Sequence, residues 1–89
     1  MPSKRTDEDY EIEALSKGLA VLEALEGTAF EPVSQKRIEE RTKLSRDLVM
    51  RTLRTLSLRG YAVKNDRGEW MIGRNAIRLA ASITRHKGL

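Results

Sequence analysis

Arginine side chains on one predicted helix are the residues best suited to chemistry in this sequence. The stretch LSRDLVMRTLRTLSLRGYAV (44–63) holds four of them and a single acid: Arg46, Arg51, Arg54, Arg59 and Asp47. A guanidinium can donate two parallel hydrogen bonds to a phosphate or to O6 and N7 of guanine. The stretch therefore indicates binding to a polyanion, with double-stranded DNA as the leading candidate.

The helical period places these arginines opposite an apolar stripe. With Arg46 at 0° and about 100° per residue, the angles near 280° to 340° belong to Val49, Leu53 and Leu56. The arc from roughly 40° to 140° holds Met50, Arg54, Asp47 and Arg51. Like charges on one arc repel unless an anion approaches, which favours DNA. The alternative is an ordinary solvated face, because arginine is also a good helix former.

Charge is divided unevenly along the chain. The 89 residues carry 17 bases and 13 acids, a net charge of +4. Residues 1–31 contain three bases and eight acids, whereas residues 32–89 contain fourteen bases and five acids, a net +9. A localised positive field attracts phosphates. The second part of the chain is therefore the expected DNA-binding part.

Three helices are predicted before residue 60. The first has an apolar stripe and should end at Gly27; the stripe consists of Ile12, Leu15, Leu19, Leu22 and Leu25. The second helix, residues 35–42, should start at the N-cap Ser34. The third, the arginine helix, should start at the N-cap Ser45. Each cap serine directly follows an apolar residue that can pack against another apolar residue in the first turn of the helix. The two pairs are Val33 with Ile38 and Leu44 with Val49. Two capped helices so close together predict a helix-turn-helix.

A period of two replaces the helical period after Gly60. Tyr61 and Val63 alternate on one strand, NDRG (65–68) is typical of a turn, and Trp70 alternates with Ile72 on a second strand. A last helix begins near Asn75, with an apolar stripe of Ile77, Ala80, Ala81 and Ile83. The predicted fold is mainly α with a small β-hairpin, a winged helix-turn-helix. Residues 1–9 should form a flexible tail and residues 10–89 the domain.

Further candidate DNA-binding residues lie outside the arginine helix. Ser34, Gln35 and Lys36 open the second helix, where free backbone N–H groups attract phosphate, although Ser34 also serves as the cap. The turn between the strands contributes Lys64, Asn65 and Arg67, and Arg74 follows the second strand. Asp47 could accept a hydrogen bond from cytosine N4, but stabilising the helix start is favoured. The full candidate set is Ser34, Gln35, Lys36, Ser45, Arg46, Asp47, Met50, Arg51, Arg54, Lys64, Asn65, Arg67 and Arg74.

Other classes of function find little support. The chain has no cysteine, and its only histidine, His86, has no second ligand nearby, so we expect no metal and no cofactor. Trp70 is expected in the core rather than as a stacking platform. There is no glycine-rich phosphate loop and no nucleophile with a base at a recognisable spacing, so we expect no enzyme. No apolar run is long enough to cross a membrane.

The run from Leu15 to Leu79 resembles the N-terminal DNA-binding domain of IclR-type transcription regulators. The matching segments are SKGLAVLEAL (16–25), KLSRDLVMRTLRTLSLRGYAV (43–63) and WMIGRNAIRLA (70–80). The resemblance implies a recognition helix at 45–59 and a wing at 64–69, with Arg46 and Arg51 at positions that are often basic in the family. This chain differs at Asp47 and Leu48, where the family commonly has small hydroxyl residues. The family's effector domain has no counterpart here, so we expect no small-molecule ligand.

These observations lead to two hypotheses of different class. The first is a sequence-specific DNA-binding transcription regulator in the cytoplasm of a bacterium or a phage-infected host. The second is a winged-helix module for protein interaction or nucleoprotein assembly. One recognition helix covers few base pairs, so we expect a homodimer through the stripes of the first and last helices. The alternative is a monomer whose core uses both stripes.

Overall fold

The elements follow one another in the order helix, helix, helix, hairpin, helix. The computed structural model describes residues 7–87, with side-chain environments from residue 8 to residue 83. After a short 3-10 helix (Asp7–Tyr10) come α1 (Glu13–Glu23), α2 (Gln35–Thr42), α3 (Arg46–Leu58), β1 (Ala62–Lys64), β2 (Trp70–Ile72) and α4 (Arg74–Lys87). The protein is a winged helix-turn-helix, as the sequence predicts. Residues 1–6 of the predicted tail lie outside the described residues, as does the side chain of His86.

Helix α1 is shorter than its apolar pattern predicts. It ends at Glu23 and continues into turns, and Gly27, with φ 80°, lies beyond it. The side of α1 that faces the core carries Val21, which is fully buried, and Leu25 follows in the turn. Gly18 lies on this side too, because a Cβ built there would be 4.0 Å from the Thr52 side chain on α3. Of the predicted stripe, Leu25 is buried and Leu22 half-buried against the core, whereas Ile12, Leu15 and Leu19 are exposed.

The two predicted N-caps form as expected. Ser34 Oγ accepts a hydrogen bond from the Arg37 backbone N–H (3.1 Å), and Ser45 Oγ accepts one from the Leu48 N–H (3.2 Å). Such caps each contribute about 1 kcal/mol to helix stability. Between them Lys43 ends α2 in the left-handed conformation, φ 62°, with its N–H bonded to the Glu39 carbonyl (2.8 Å). This sharp reversal turns the chain from α2 into α3.

The segment between α1 and α2 is tied to the hairpin. Val33 pairs with Trp70 through two backbone hydrogen bonds, 3.0 and 2.7 Å long. Thr28, which is buried, accepts a hydrogen bond from the Ile72 N–H (2.8 Å) and donates one to the Leu25 carbonyl. Because Val33 directly precedes the Ser34 cap, this pairing fixes the start of α2 relative to β2.

The hairpin has the predicted turn. Lys64 pairs with Trp70 and Ala62 with Ile72, and Gly68 takes φ 79° in the turn between the strands. Trp70 is only 7% exposed, which confirms its place in the core, whereas Val63 faces outward. The fully or nearly buried apolar core consists of Val21, Leu25, Ile38, Val49, Leu53, Ala62 and Trp70.

Gly73 joins the hairpin to α4 where two backbone segments touch. Its N–H donates to the Tyr61 carbonyl (2.9 Å), and a Cβ at this position would overlap the Gly60 carbonyl oxygen. Gly60 has φ 80°, and its carbonyl accepts a hydrogen bond from the Asn75 N–H (3.0 Å). A glycine is therefore required at the end of β2, because only glycine permits this approach.

Candidate nucleic-acid interface

Helix α3 presents its arginines to solvent and Val49 and Leu53 to the core. Val49 and Leu53 are fully buried. The opposite side is exposed along the whole helix and carries Arg46, Met50, Arg51 and Arg54. The division of α3 into a core side and an exposed arginine side, predicted from the helical period, is therefore confirmed. This surface, defined as the arginine face, is a convex rod of the width that a DNA major groove admits.

Asp47 lies on the same side of α3 as the arginines and forms an ion pair with Arg51. Its Oδ2 lies 3.5 Å from Arg51 Nη1, one helical turn away, and both side chains are 70% exposed. Exposed pairs at this spacing contribute only about 0.3–0.5 kcal/mol. The ion pair is therefore weak. It orients the Arg51 guanidinium, and a phosphate or a guanine could displace Asp47 from it. The position in the first turn also fits the predicted helix-stabilising role of Asp47.

The start of α2 lies beside the start of α3. Gln35 Nε2 donates to the backbone carbonyl of Arg46 (3.4 Å) and to Glu39 Oε2 (3.1 Å). A shallow groove here is lined by Gln35, Lys36, Glu39 and Arg46. The sequence placed Gln35 and Lys36 in the candidate site but did not reveal this bridge, because it joins residues eleven positions apart. Lys36 and Arg46 thereby share one surface with two helix N-termini.

The side chain of Asn65 stabilises the turn at the tip of the wing through hydrogen bonds. Its Oδ1 accepts hydrogen bonds from the backbone N–H groups of Arg67 and Glu69, both 2.9 Å, and its Nδ2 donates to Glu69 Oε1 (3.2 Å). An asparagine that bonds the backbone two residues ahead is a common turn former, so this role could have been recognised in the NDRG segment. Asn65 thus holds Arg67, whose side chain is exposed, in a fixed turn.

Lys64 and Arg74 border the wing. Lys64 Nζ lies 5.8 Å from the centre of the Trp70 ring, within the range of a cation–π contact. Its side chain therefore lies along the hairpin with its charge at the surface. Arg74 is exposed at the first position of α4. The candidate residues thus form two groups, one at the starts of α2 and α3 with the arginine face and one on the wing.

Metal ligation and membrane insertion are both unsupported by the described residues. Within residues 7–87, no three histidine, aspartate or glutamate side chains come together as a metal-binding group. Over the same part of the chain, no helix has the length and hydropathy that spanning a bilayer would require.

Comparisons with known proteins give structural neighbours only. No protein-family model matches the sequence, and no curated protein matches it. The fold is similar to that of HmgR from Pseudomonas aeruginosa, with a TM-score of 0.71 and 26% identity over 80% of this chain. It is equally similar to an IclR family transcriptional regulator from Brucella abortus, with a TM-score of 0.73 and 26% identity over 85% of this chain. The chain has an IclR-like fold.

The likeness extends to a neighbour of much lower identity. The repressor BlcR from Agobacterium tumefaciens has a TM-score of 0.69 and 15% identity over 91% of this chain, which shows the shared fold alone. The chain spans about 29% of HmgR and of the Brucella abortus regulator. The IclR-like fold thus corresponds to less than a third of the length of each of these two proteins.

Chemically, the IclR-like fold of this chain offers cationic hydrogen-bond donors and capped helix starts. Its arginine face can donate to base edges or phosphates, and the N-termini of α2 and α3 can accept an anion. The wing adds Lys64 and Arg67. Groups of this kind are suited to holding a polyanion.

Proposed function

We propose that this chain binds double-stranded DNA and acts in transcription regulation, with α3 in the major groove. The observation that carries the proposal is the arginine face, which exposes Arg46, Arg51 and Arg54 while Val49 and Leu53 hold the other side of α3 in the core. The structural neighbour from Brucella abortus is described as an IclR family transcriptional regulator, which supports the same function.

The proposed contacts divide into reading and positioning. Arg46, Met50, Arg51 and Arg54 read base edges from the major groove. Positioning on phosphates falls to Ser34, Gln35, Lys36 and Ser45, at helix starts where N–H groups and a lysine converge. The wing reaches the adjacent minor groove or backbone through Lys64, Arg67 and Arg74, and Asn65 holds the turn that presents Arg67. Asp47 contributes by orienting Arg51.

Selection of bound sequences from random duplexes, followed by competition, tests this function. At about 150 mM salt the selected duplex should bind about 10³-fold more tightly than random duplex. Equal affinity for all duplexes would contradict sequence-specific reading. Absence of any DNA binding would instead support the protein-interaction module.

Two arginine variants separate reading from positioning. Arg51→Ala should weaken binding to the selected duplex by about 1–3 kcal/mol and remove the preference at one base pair, because a guanidinium that pairs with guanine is lost. Arg67→Ala, on the wing, should weaken selected and random duplexes alike, because a phosphate contact carries no sequence information. Fluorescence anisotropy on both duplexes measures the two effects. If Arg67→Ala altered the preferred sequence and Arg51→Ala did not, the roles of α3 and the wing would be reversed.

A further inference from the structure

Asp47 is the only acid of α3, and it lies on the side of this helix that carries the arginines. Its side chain is 70% exposed. The start of α3 is already capped without it, because Ser45 Oγ accepts a hydrogen bond from the Leu48 N–H (3.2 Å). A carboxylate on a surface that enters the major groove repels phosphates. It therefore lowers the affinity for DNA unless it meets a hydrogen-bond donor there.

The major-groove edge of cytosine is the best match for such a carboxylate. Guanine presents two acceptors there, thymine presents an acceptor and a methyl group, and adenine presents a donor beside the acceptor N7. Cytosine alone presents a donor, the N4 amino group, with no acceptor. An ionised carboxylate accepts hydrogen bonds and donates none. Asp47 is therefore complementary to cytosine and is repelled by acceptor atoms of the other three bases.

The contact between Asp47 and Arg51 indicates where this cytosine lies. Asp47 Oδ2 is 3.5 Å from Arg51 Nη1. Successive base pairs are separated by about the same distance along the DNA axis, roughly 3.4 Å. When a guanine takes the Arg51 guanidinium, the carboxylate of Asp47 is left within reach of the next base pair and requires a new donor.

We propose that Asp47 reads a cytosine in the base pair that adjoins the guanine read by Arg51. This inference rests on the proposed function and deepens it, because it names a two-base-pair step that α3 recognises. The two proposals fail differently. If no duplex sequence is selected, the proposed function fails, whereas a selected duplex without a cytosine at the adjoining pair contradicts the role of Asp47 alone.

Removal of the carboxylate should change two affinities in opposite directions. Asp47→Ala deletes a contact that exists only on the selected duplex, so affinity for that duplex should fall about 10-fold. The same substitution deletes a negative charge that faces phosphates on every duplex, so affinity for random duplex should rise at least about twofold. An acid that only stabilised the start of α3 would not combine these effects, because its loss would weaken both complexes.

Repeating the selection with Asp47→Asn tests the assignment directly. An asparagine amide pairs with N6 and N7 of adenine. The preference at the base pair next to the one that Arg51→Ala relaxes should therefore change from cytosine to adenine. A preference for cytosine that survives in both Asp47→Asn and Asp47→Ala would overturn the proposal.

A modified base tests the same contact with the unsubstituted protein. A methyl group on N4 of this cytosine leaves one N4–H, which pairs with guanine, and removes the donor in the major groove. Fluorescence anisotropy should show about 10-fold weaker binding of the unsubstituted chain to this duplex. The affinity of Asp47→Ala should not change on methylation. Equal weakening of both proteins would assign the donor contact to another residue and overturn the proposal.

Glu40→Gln is the matched control, because Glu40 forms a similar exposed ion pair with Arg37 (3.6 Å) on α2, outside the candidate site. It should leave the preferred sequence unchanged and alter each affinity by less than about twofold. Far-UV circular dichroism checks that each variant folds. If Asp47→Asn does not fold, the N4-methylated duplex still decides between a cytosine contact and none.

Discussion

Replacing Trp70 with alanine is expected to lower the free energy of unfolding by about 3–5 kcal/mol. Trp70 is the largest side chain in the core, and its backbone pairs with both Lys64 and Val33. A chain of this size should have a total stability of about 5–13 kcal/mol. The substitution should therefore remove a large share of that stability and loosen the start of α2 together with the wing.

Urea denaturation followed by far-UV circular dichroism measures this loss, because the tryptophan signal disappears with the substitution. Trp70→Phe keeps an aromatic ring in the core and should cost clearly less. Val63→Ala, on the exposed side of β1, should change stability by no more than about 0.5 kcal/mol. A cost below about 1 kcal/mol for Trp70→Ala would contradict the central packing of this side chain.

Local rules predicted those parts of the fold that local interactions determine. Ser34 and Ser45 cap their helices because a serine hydroxyl three positions before a free N–H is sufficient for the bond. The arginine face follows from the helical period, since Val49 and Leu53 define the side of α3 that faces the core. The turn at Gly68 follows in the same way from the left-handed preference of glycine.

The sequence could not predict which apolar residues of α1 face the core. Val21 lies on one side of this helix and Leu15 and Leu19 lie on another, so two orientations of α1 would each bury leucine or valine. Packing against α3 resolves the choice, because α1 turns Gly18 toward Thr52, which would lie 4.0 Å from a Cβ at Gly18. This is a tertiary effect that periodicity does not contain. It leaves Leu15 and Leu19 on the exposed side of α1.

The sequence also could not predict hydrogen bonds between residues that are far apart in the chain. The pairing of Val33 with Trp70 and the bond from Gln35 to the Arg46 carbonyl join segments that have no pattern in common. Both bonds orient the candidate site, the first by tying α2 to the wing and the second by tying α2 to α3. The sequence therefore predicted the types of the candidate site residues and the side of α3 on which they lie. It did not predict the hydrogen bonds that hold α2, α3 and the wing together.

DNA affinity is expected to fall about 100-fold between 50 and 200 mM salt, and this fall depends on how many phosphates the chain contacts. Lys36, Lys64, Arg67 and Arg74 are four exposed cations at the helix starts and the wing. If each neutralises one phosphate, log K should fall with log salt at a slope of about −3.6. Lys17→Gln is the matched control, because it removes a cation that is paired with Glu13 on α1 (3.2 Å) and should leave the slope unchanged. A slope shallower than about −1 would contradict binding through this surface, since it corresponds to a single phosphate contact.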